Sequence, residues 1–177
     1  MTRKKYELLK DDKIELYGKT LYRIKALIDF DIVVAGSLGG YIEKEDNLAH
    51  TGNAWVSGNA RVSDNARVSG NAWVSGDARV HGNAWVSGDA RVYGDAEVYG
   101  DDDLVWFSNV GTEQGTLTVY KSKDGSLLAA RGCFSGTVDE FLAKSAEVHN
   151  ERIQREYRLL IEVAKSRLLG ESYVPTL

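Results

Sequence analysis

The sequence predicts a mainly β protein. A parallel β-helix of six-residue repeats is expected at its centre, with a non-repeating β segment before it and a β-hairpin plus two α-helices after it. Three observations carry this expectation. Residues 52–101 run in an unbroken period of six, with Val at 56, 62, 68, 74, 80, 86, 92 and 98 and Ala two positions earlier each time. Gly opens each hexad (Asp at position 64), and Asn or Asp follows it. Outside this stretch the period fails and ordinary strand and helix patterns take over. The expected boundaries are therefore 1–39 for an N-terminal β cap, 40–103 for the repeats and 104–177 for a C-terminal cap or module.

The N-terminal segment is read first. KIELYG at 13–18 and TLYRIKALI at 20–28 look like two strands joined by a turn at Gly18-Lys19. An open end of a β-helix exposes unpaired backbone and core, so an atypical cap is physically required there. Gly36-Ser37-Leu38-Gly39-Gly40 is too poor in the following Lys-Ser/Thr to be a phosphate loop and reads as a bend into the first coil. Counting back by six places Leu48 with His50, and Ile42 with Lys44, in degenerate first repeats.

Within the repeats, Ala and the Val two positions later point to one side of an extended segment, and the residue between them points to the other. The Gly-Asn or Gly-Asp pair tolerates the left-handed backbone of a sharp corner. Three short sides close a triangle, so residues 18 apart stack. This register makes three outward columns: Trp55, Trp73 and Arg91; Arg61, Arg79 and Glu97; Arg67, Trp85 and Asp103.

After residue 103, LVWFSNV, GTLTVYK and SLLAARGCF read as strands, the last two joined at Lys123-Asp124-Gly125. Thr137 and Glu140 form a capping box that opens a helix with Val138, Phe141, Leu142, Ser145 and Val148 on one face. A second helix, about 151–169, carries Ile153, Tyr157, Leu160, Ile161, Ala164 and Leu168 on one face and stops at Gly170.

The aliphatic, small-residue and Asn/Asp positions over 46–101 resemble the hexapeptide-repeat family. That resemblance implies a left-handed coil, a hand the spacing alone does not give. The flanking runs AGSLGGYIEKEDNLAH, WFSNVG and RGCFSGTVDEFLAKSAEVH are similar to bacterial and prophage proteins labelled polymer-forming cytoskeletal or hexapeptide-repeat proteins. They imply a bacterial or bacteriophage source.

Composition narrows the function classes. The net charge of −4 argues against a dedicated nucleic-acid binder. A single cysteine, Cys133, excludes an internal disulfide and reads as a small core residue of a strand. With no apolar run near 18 residues and no signal-like start, a cytoplasmic protein without a membrane span is expected. No cofactor and no metal site are expected; the Asp-rich GDAEVYGDDD end is read as corner hydrogen bonding.

The best-known relatives implied by the resemblance are trimeric acyltransferases with a histidine base between neighbouring β-helices. The candidate here is His81, next to Val80, read as a solvated corner side chain without a partner carboxylate. His50, His81 and His149 lie on separate segments, which sets a three-histidine zinc site aside. No loop interrupts the repeats, unlike those enzymes. The stronger signal is an outward aromatic and basic surface: Trp55, Trp73, Arg91, Trp85, Arg61, Arg79, Tyr93 and Tyr99. The expectation is a non-enzymatic interaction protein that binds a protein partner, itself included as a homo-oligomer. From the implied source, a phage protein blocking a host factor such as a defence system follows. The alternatives are an acyltransferase-like enzyme and a self-assembling structural protein.

Overall fold

The computed structural model describes residues 3–170 and 173–175. Its centre is a solenoid of two-residue strands, one per hexad: β4 (Trp55–Val56), β5 (Arg61–Val62), β6 (Arg67–Val68), β7 (Trp73–Val74), β8 (Arg79–Val80), β9 (Trp85–Val86), β10 (Arg91–Val92) and β11 (Glu97–Val98). They pair in parallel as three faces, β4-β7-β10, β5-β8-β11 and β6-β9. Trp55 lies against Trp73 and Arg91, Arg61 against Arg79 and Glu97, and Arg67 against Trp85, as the period predicts. The repeat Ala and Val side chains are all buried and form one continuous core along the axis. Corner amides stack as expected, with Asn71 Nδ2 donating to Asp89 at 3.1 Å and Asn59 Nδ2 to Asp77 at 3.3 Å.

Parallel stacking gives the solenoid two unlike ends. The outward residue of each strand donates its N–H to the Ala carbonyl of the next coil, as Trp55 does to Ala72 and Arg61 to Ala78. The N-terminal end therefore presents orphan carbonyls and the C-terminal end orphan N–H groups, and buried orphans of either kind are costly. The caps answer this polarity. Of the three Ala carbonyls of the first coil, Ala54 accepts from Lys5 Nζ (2.7 Å), Ala60 from the Tyr41 N–H (2.9 Å) and Ala66 from Asn47 Nδ2 (2.8 Å). At the far end, acceptors take over. Thr118 Oγ1 receives the Arg91 N–H (3.0 Å), the Tyr120 hydroxyl receives the Tyr93 N–H (3.1 Å) and Asp101 Oδ1 receives the Trp85 N–H (3.0 Å).

The N-terminal cap is a hairpin, β1 (Tyr6–Leu16) and β2 (Lys19–Ala26), followed by β3 (Leu38–Ile42). The turn falls at Tyr17-Gly18, one residue before the expected place, because both residues adopt positive φ. β3 pairs antiparallel with β2 and parallel with β5, so the hairpin continues one solenoid face as a six-stranded sheet. The glycine run divides: Gly36 makes the expected bend, in a turn at φ 93°, while Leu38, Gly39 and Gly40 belong to strand β3. A Cβ on Gly40 would sit 2.6 Å from the Ala60 carbonyl oxygen, so only glycine allows this approach. The counted register slips: Ile42 pairs with Val62 and Leu48 with Val68, twenty residues apart where eighteen was expected. The bend at residues 50–53, between Leu48 and β4, absorbs the two extra residues, since the offset is already eighteen at Trp55 and Val56.

The C-terminal module is larger than a hairpin. β12 (Leu104–Val110), β13 (Gly115–Lys121), β14 (Leu127–Arg131) and β15 (Phe134–Thr137) form a four-stranded antiparallel meander. α1 (Val138–Val148) and α2 (Glu151–Leu169) pack on one side. Alternation sorts the sheet: Leu117, Val119 and Ala129 face the helices, while Leu104, Tyr120 and Ala130 close the solenoid. SLLAARGCF splits at Gly132-Cys133, so Cys133 is exposed in a turn and not in the core. Val148 is 57 % exposed, off the buried face of α1, because the helix ends there. Asp103 does not extend the third column. It sits in a turn, Asp101–Asp103, accepts from the Tyr99 N–H at 2.8 Å and pairs with Lys121 at 3.0 Å. No described helix is long and apolar enough to cross a membrane.

Candidate functional site

The predicted outward surface divides into three different environments, because the caps cover some faces and leave others. On the first face Trp55 points outward but is only 2 % exposed. Tyr6 and Phe30 from the N-terminal cap meet its indole edge-on at 6.4 and 5.3 Å. Trp55 is thus a core residue of the cap junction and no part of an outer surface. Trp73 is half-buried, and Arg91 and Tyr93 are half-buried under β13, with Arg91 donating to the Tyr93 hydroxyl at 3.2 Å. The expected strip of Trp55, Trp73 and Arg91 is closed at both ends.

The second face carries a charged cluster. Arg79 pairs with Glu97 at 3.2 Å and lies under the Tyr17 ring at 4.4 Å, while Arg61 is half-buried beside it in the same column. His81 is not the solvated side chain expected from its slot, since only 12 % of its side chain is accessible. Nor is it without carboxylates: Nε2 lies 3.2 Å from Glu97, and Nδ1 faces Asp64 at 4.0 Å. Asp64 occupies the hexad slot elsewhere held by Gly, at φ 57°, where a β-carbon is strained. Its carboxylate also accepts the Gly82 N–H at 3.1 Å and pairs with Lys19 of the hairpin. Burial, reinforced by the Arg79 charge, pushes the His81 pKa below its ordinary value despite Glu97. His81 is hydrogen-bonded to Glu97 through Nε2, and Asp64 beside it bonds the Gly82 corner and pairs with Lys19, so the cluster joins coil, corner and hairpin. The aberrant Asp at 64 was visible in the sequence; its meeting with His81 required the coil spacing to be applied to corner residues as well.

The third face is open. Trp85 is 55 % exposed, Arg67 beside it is exposed, and Tyr99 at a corner is 63 % exposed. The indole does not swing freely, since its Nε1 donates to Ser69 Oγ of the preceding coil at 2.9 Å. Trp73 repeats the arrangement with Ser57 at 3.1 Å, so a Trp with a Ser sixteen residues earlier makes a clamp between coils. Ser57 and Ser69 escaped the sequence reading because the clamp crosses coils. Two clefts flank Trp85: one of about 310 Å³ toward Leu48, His50 and Arg67, and one of about 380 Å³ toward Leu104, Trp106 and Arg167. The other two histidines serve elsewhere. His50 stacks on Tyr6 at 4.2 Å, and His149 accepts or donates at Ser145, 3.0 Å away.

Stacked parallel coils with hexad corners and an Ala/Val axis place this chain among the repeat β-helix, or β-solenoid, proteins. More narrowly, residues 54–70, 60–76 and 72–88 match the family model of the YdcK beta solenoid repeat. No curated protein matches the chain.

Proposed function

We propose that this chain is a non-enzymatic interaction protein whose third solenoid face binds a protein partner. The observation that carries the reading is Trp85, a large indole left exposed on a rigid sheet and held in one orientation by Ser69. Tryptophan and arginine dominate binding hot spots, and a side chain already fixed loses little entropy on binding. Of the three tryptophans in the repeats, Trp55 and Trp73 are drawn into the fold and Trp85 is not. The bacterial or phage source implied by the flanks makes a host protein, such as a defence factor, the first partner class to test. A second copy of the chain is the other.

The test is a quantitative pull-down and sedimentation comparison of wild type with Trp85→Ala, using Trp73→Ala as the control. Loss of at least about tenfold in affinity for Trp85→Ala is expected, as for a hot-spot residue. Equal binding by wild type and Trp85→Ala would remove the third face from the reading.

A further inference from the structure

We infer that the cleft between the last coil and the C-terminal sheet is a binding site for a neutral polyhydroxylated ligand, a saccharide, which accepts hydrogen bonds from the hydroxyl of Tyr120 and its neighbours. The cleft shares no lining residue with those beside Trp85 and stands apart from the third-face reading.

The cleft, about 380 Å³, opens where the corner Tyr93-Gly94-Asp95 meets β13, β14 and β15. That volume falls within the range of sites that enclose a small ligand. Its wall is rich in hydroxyls, those of Tyr93, Tyr120, Ser122, Ser126, Ser135 and Thr137. The fold uses three of them in one sense. The Tyr120 oxygen accepts the Tyr93 N–H at 3.1 Å, Thr137 Oγ1 accepts the Glu140 N–H at 3.1 Å, and the Tyr93 hydroxyl accepts from Arg91 at 3.2 Å. A hydroxyl that accepts in this way still has a proton to donate. None of the three donates to an acceptor among the described residues.

Tyr120 matters most among them. Its side chain is 1 % exposed, and burial pushes its pKa up to about 12, so the proton stays on the phenol. A buried O–H without an acceptor is costly, and a ligand oxygen in the cleft relieves that cost. Ser135 at the rim is exposed, and its hydroxyl has no partner among the described residues.

Charge decides which oxygens fit. The lining holds one cation, Lys123, which faces Asp95 at 4.0 Å. It also holds Asp124, whose pKa is lowered to about 2 by hydrogen bonds from Ser122 and Ser126, so this carboxylate is ionised. Two carboxylates against one ammonium repel a phosphate or carboxylate ligand. The end of α1 at Thr137 does not reverse this, because Asp139 and Glu140 already occupy its first turn. A neutral ligand is required that accepts from Tyr120, Thr137 and Ser135 and donates to Asp95 or Asp124. A saccharide ring carries hydroxyls of both senses around an apolar face, and Tyr93 and Leu128 supply apolar lining for that face.

The experiment uses the full chain labelled with nitrogen-15 and follows its backbone amide signals. The probes are maltose, cellobiose, lactose and sucrose, each titrated to about 50 mM so that millimolar affinities saturate. Glycerol and glucose 6-phosphate are the controls. Saturable shifts with at least one disaccharide are expected, confined to residues 93–95 and 120–137. Ser135→Ala, at an exposed position, is expected to weaken binding about fivefold, the loss of one hydrogen bond. Tyr120→Phe is expected to weaken it at least as much, with a dispersed spectrum reporting that the variant is folded. The absence of saturable shifts with every disaccharide would overturn the site. Equal shifts with glycerol, or equally tight binding of glucose 6-phosphate, would overturn the ligand class. Undiminished affinity in both variants would overturn the role given to the hydroxyls.

Discussion

Lys5 is 1 % exposed, a charged side chain enclosed at the cap because its ammonium has two carbonyls to satisfy, those of Gly52 and Ala54. Burial lowers its pKa from 10.5 to about 8. Between those values the unfolded chain holds a proton that the folded chain has released. Stability from this group is therefore lost as pH falls through about 8 and rises as pH climbs above it. Tyr6 works the other way at higher pH, since burial raises its phenol above the ordinary value and its unfolded form ionises near 10. The informative window is pH 8 to 10. Urea midpoints of the wild type should rise across it relative to Lys5→Met. The variant should also be less stable throughout, by about 1–3 kcal/mol, because two carbonyls lose their donor. Parallel pH profiles for the two proteins would show that Lys5 titrates normally.

At the scale of elements, the strand β13 caps the last coil with side-chain hydroxyls on alternate residues, Thr118 and Tyr120. Burial pushes the Tyr120 phenol up to about 12, so it remains a neutral hydroxyl through the working range of pH. Thr118→Val and Tyr120→Phe keep the shape and remove one acceptor each. Each substitution is expected to cost about 1–3 kcal/mol, the penalty of a buried unsatisfied N–H. Hydrogen exchange at the Arg91 amide should accelerate in Thr118→Val and at the Tyr93 amide in Tyr120→Phe. Unchanged protection would mean that those amides are satisfied in another way. The same polarity accounts for the residue types that stand at each end. Asp101 and Asp103 sit at the end that presents N–H groups, whereas donors Lys5 and Asn47 sit at the end that presents carbonyls.

For the whole molecule, the caps are continuous with the solenoid core. Tyr6 and Val33 at one end and Leu104, Tyr120 and Ala130 at the other join the cluster that runs along the Ala and Val axis. A shortened chain beginning at Gly40 would bare Trp55, the Gly52 and Ala54 carbonyls that Lys5 caps, and the edge of β3 that pairs with β2. That shortened form should self-associate, with red-shifted tryptophan emission and increased light scattering, as an exposed strand edge does. A monodisperse shortened chain with unshifted emission would show that the hairpin is dispensable for closing the end.

The repeat period by itself determined the parallel coils, the inward Ala and Val, the three columns and the stacked corners, because each depends on neighbours a constant distance away in sequence. The helices of the C-terminal module were legible for the same reason: the Thr137-Glu140 box and the apolar stripe of α2 are local. Exposure was not. Trp55 and Trp85 occupy equivalent slots in the hexad, yet one is buried and the other open, because Tyr6 and Phe30 fold back over one face and nothing comparable covers the other. His81 likewise gained its carboxylates from residues 16 and 17 positions away, Glu97 and Asp64, brought together by the coil. Trp106 and Arg167 join Trp85 only because a sheet and a helix from outside the repeats dock against the end of the stack. A short period specifies which way each side chain points. Only the tertiary fold decides what it meets there, since that depends on segments the period does not contain.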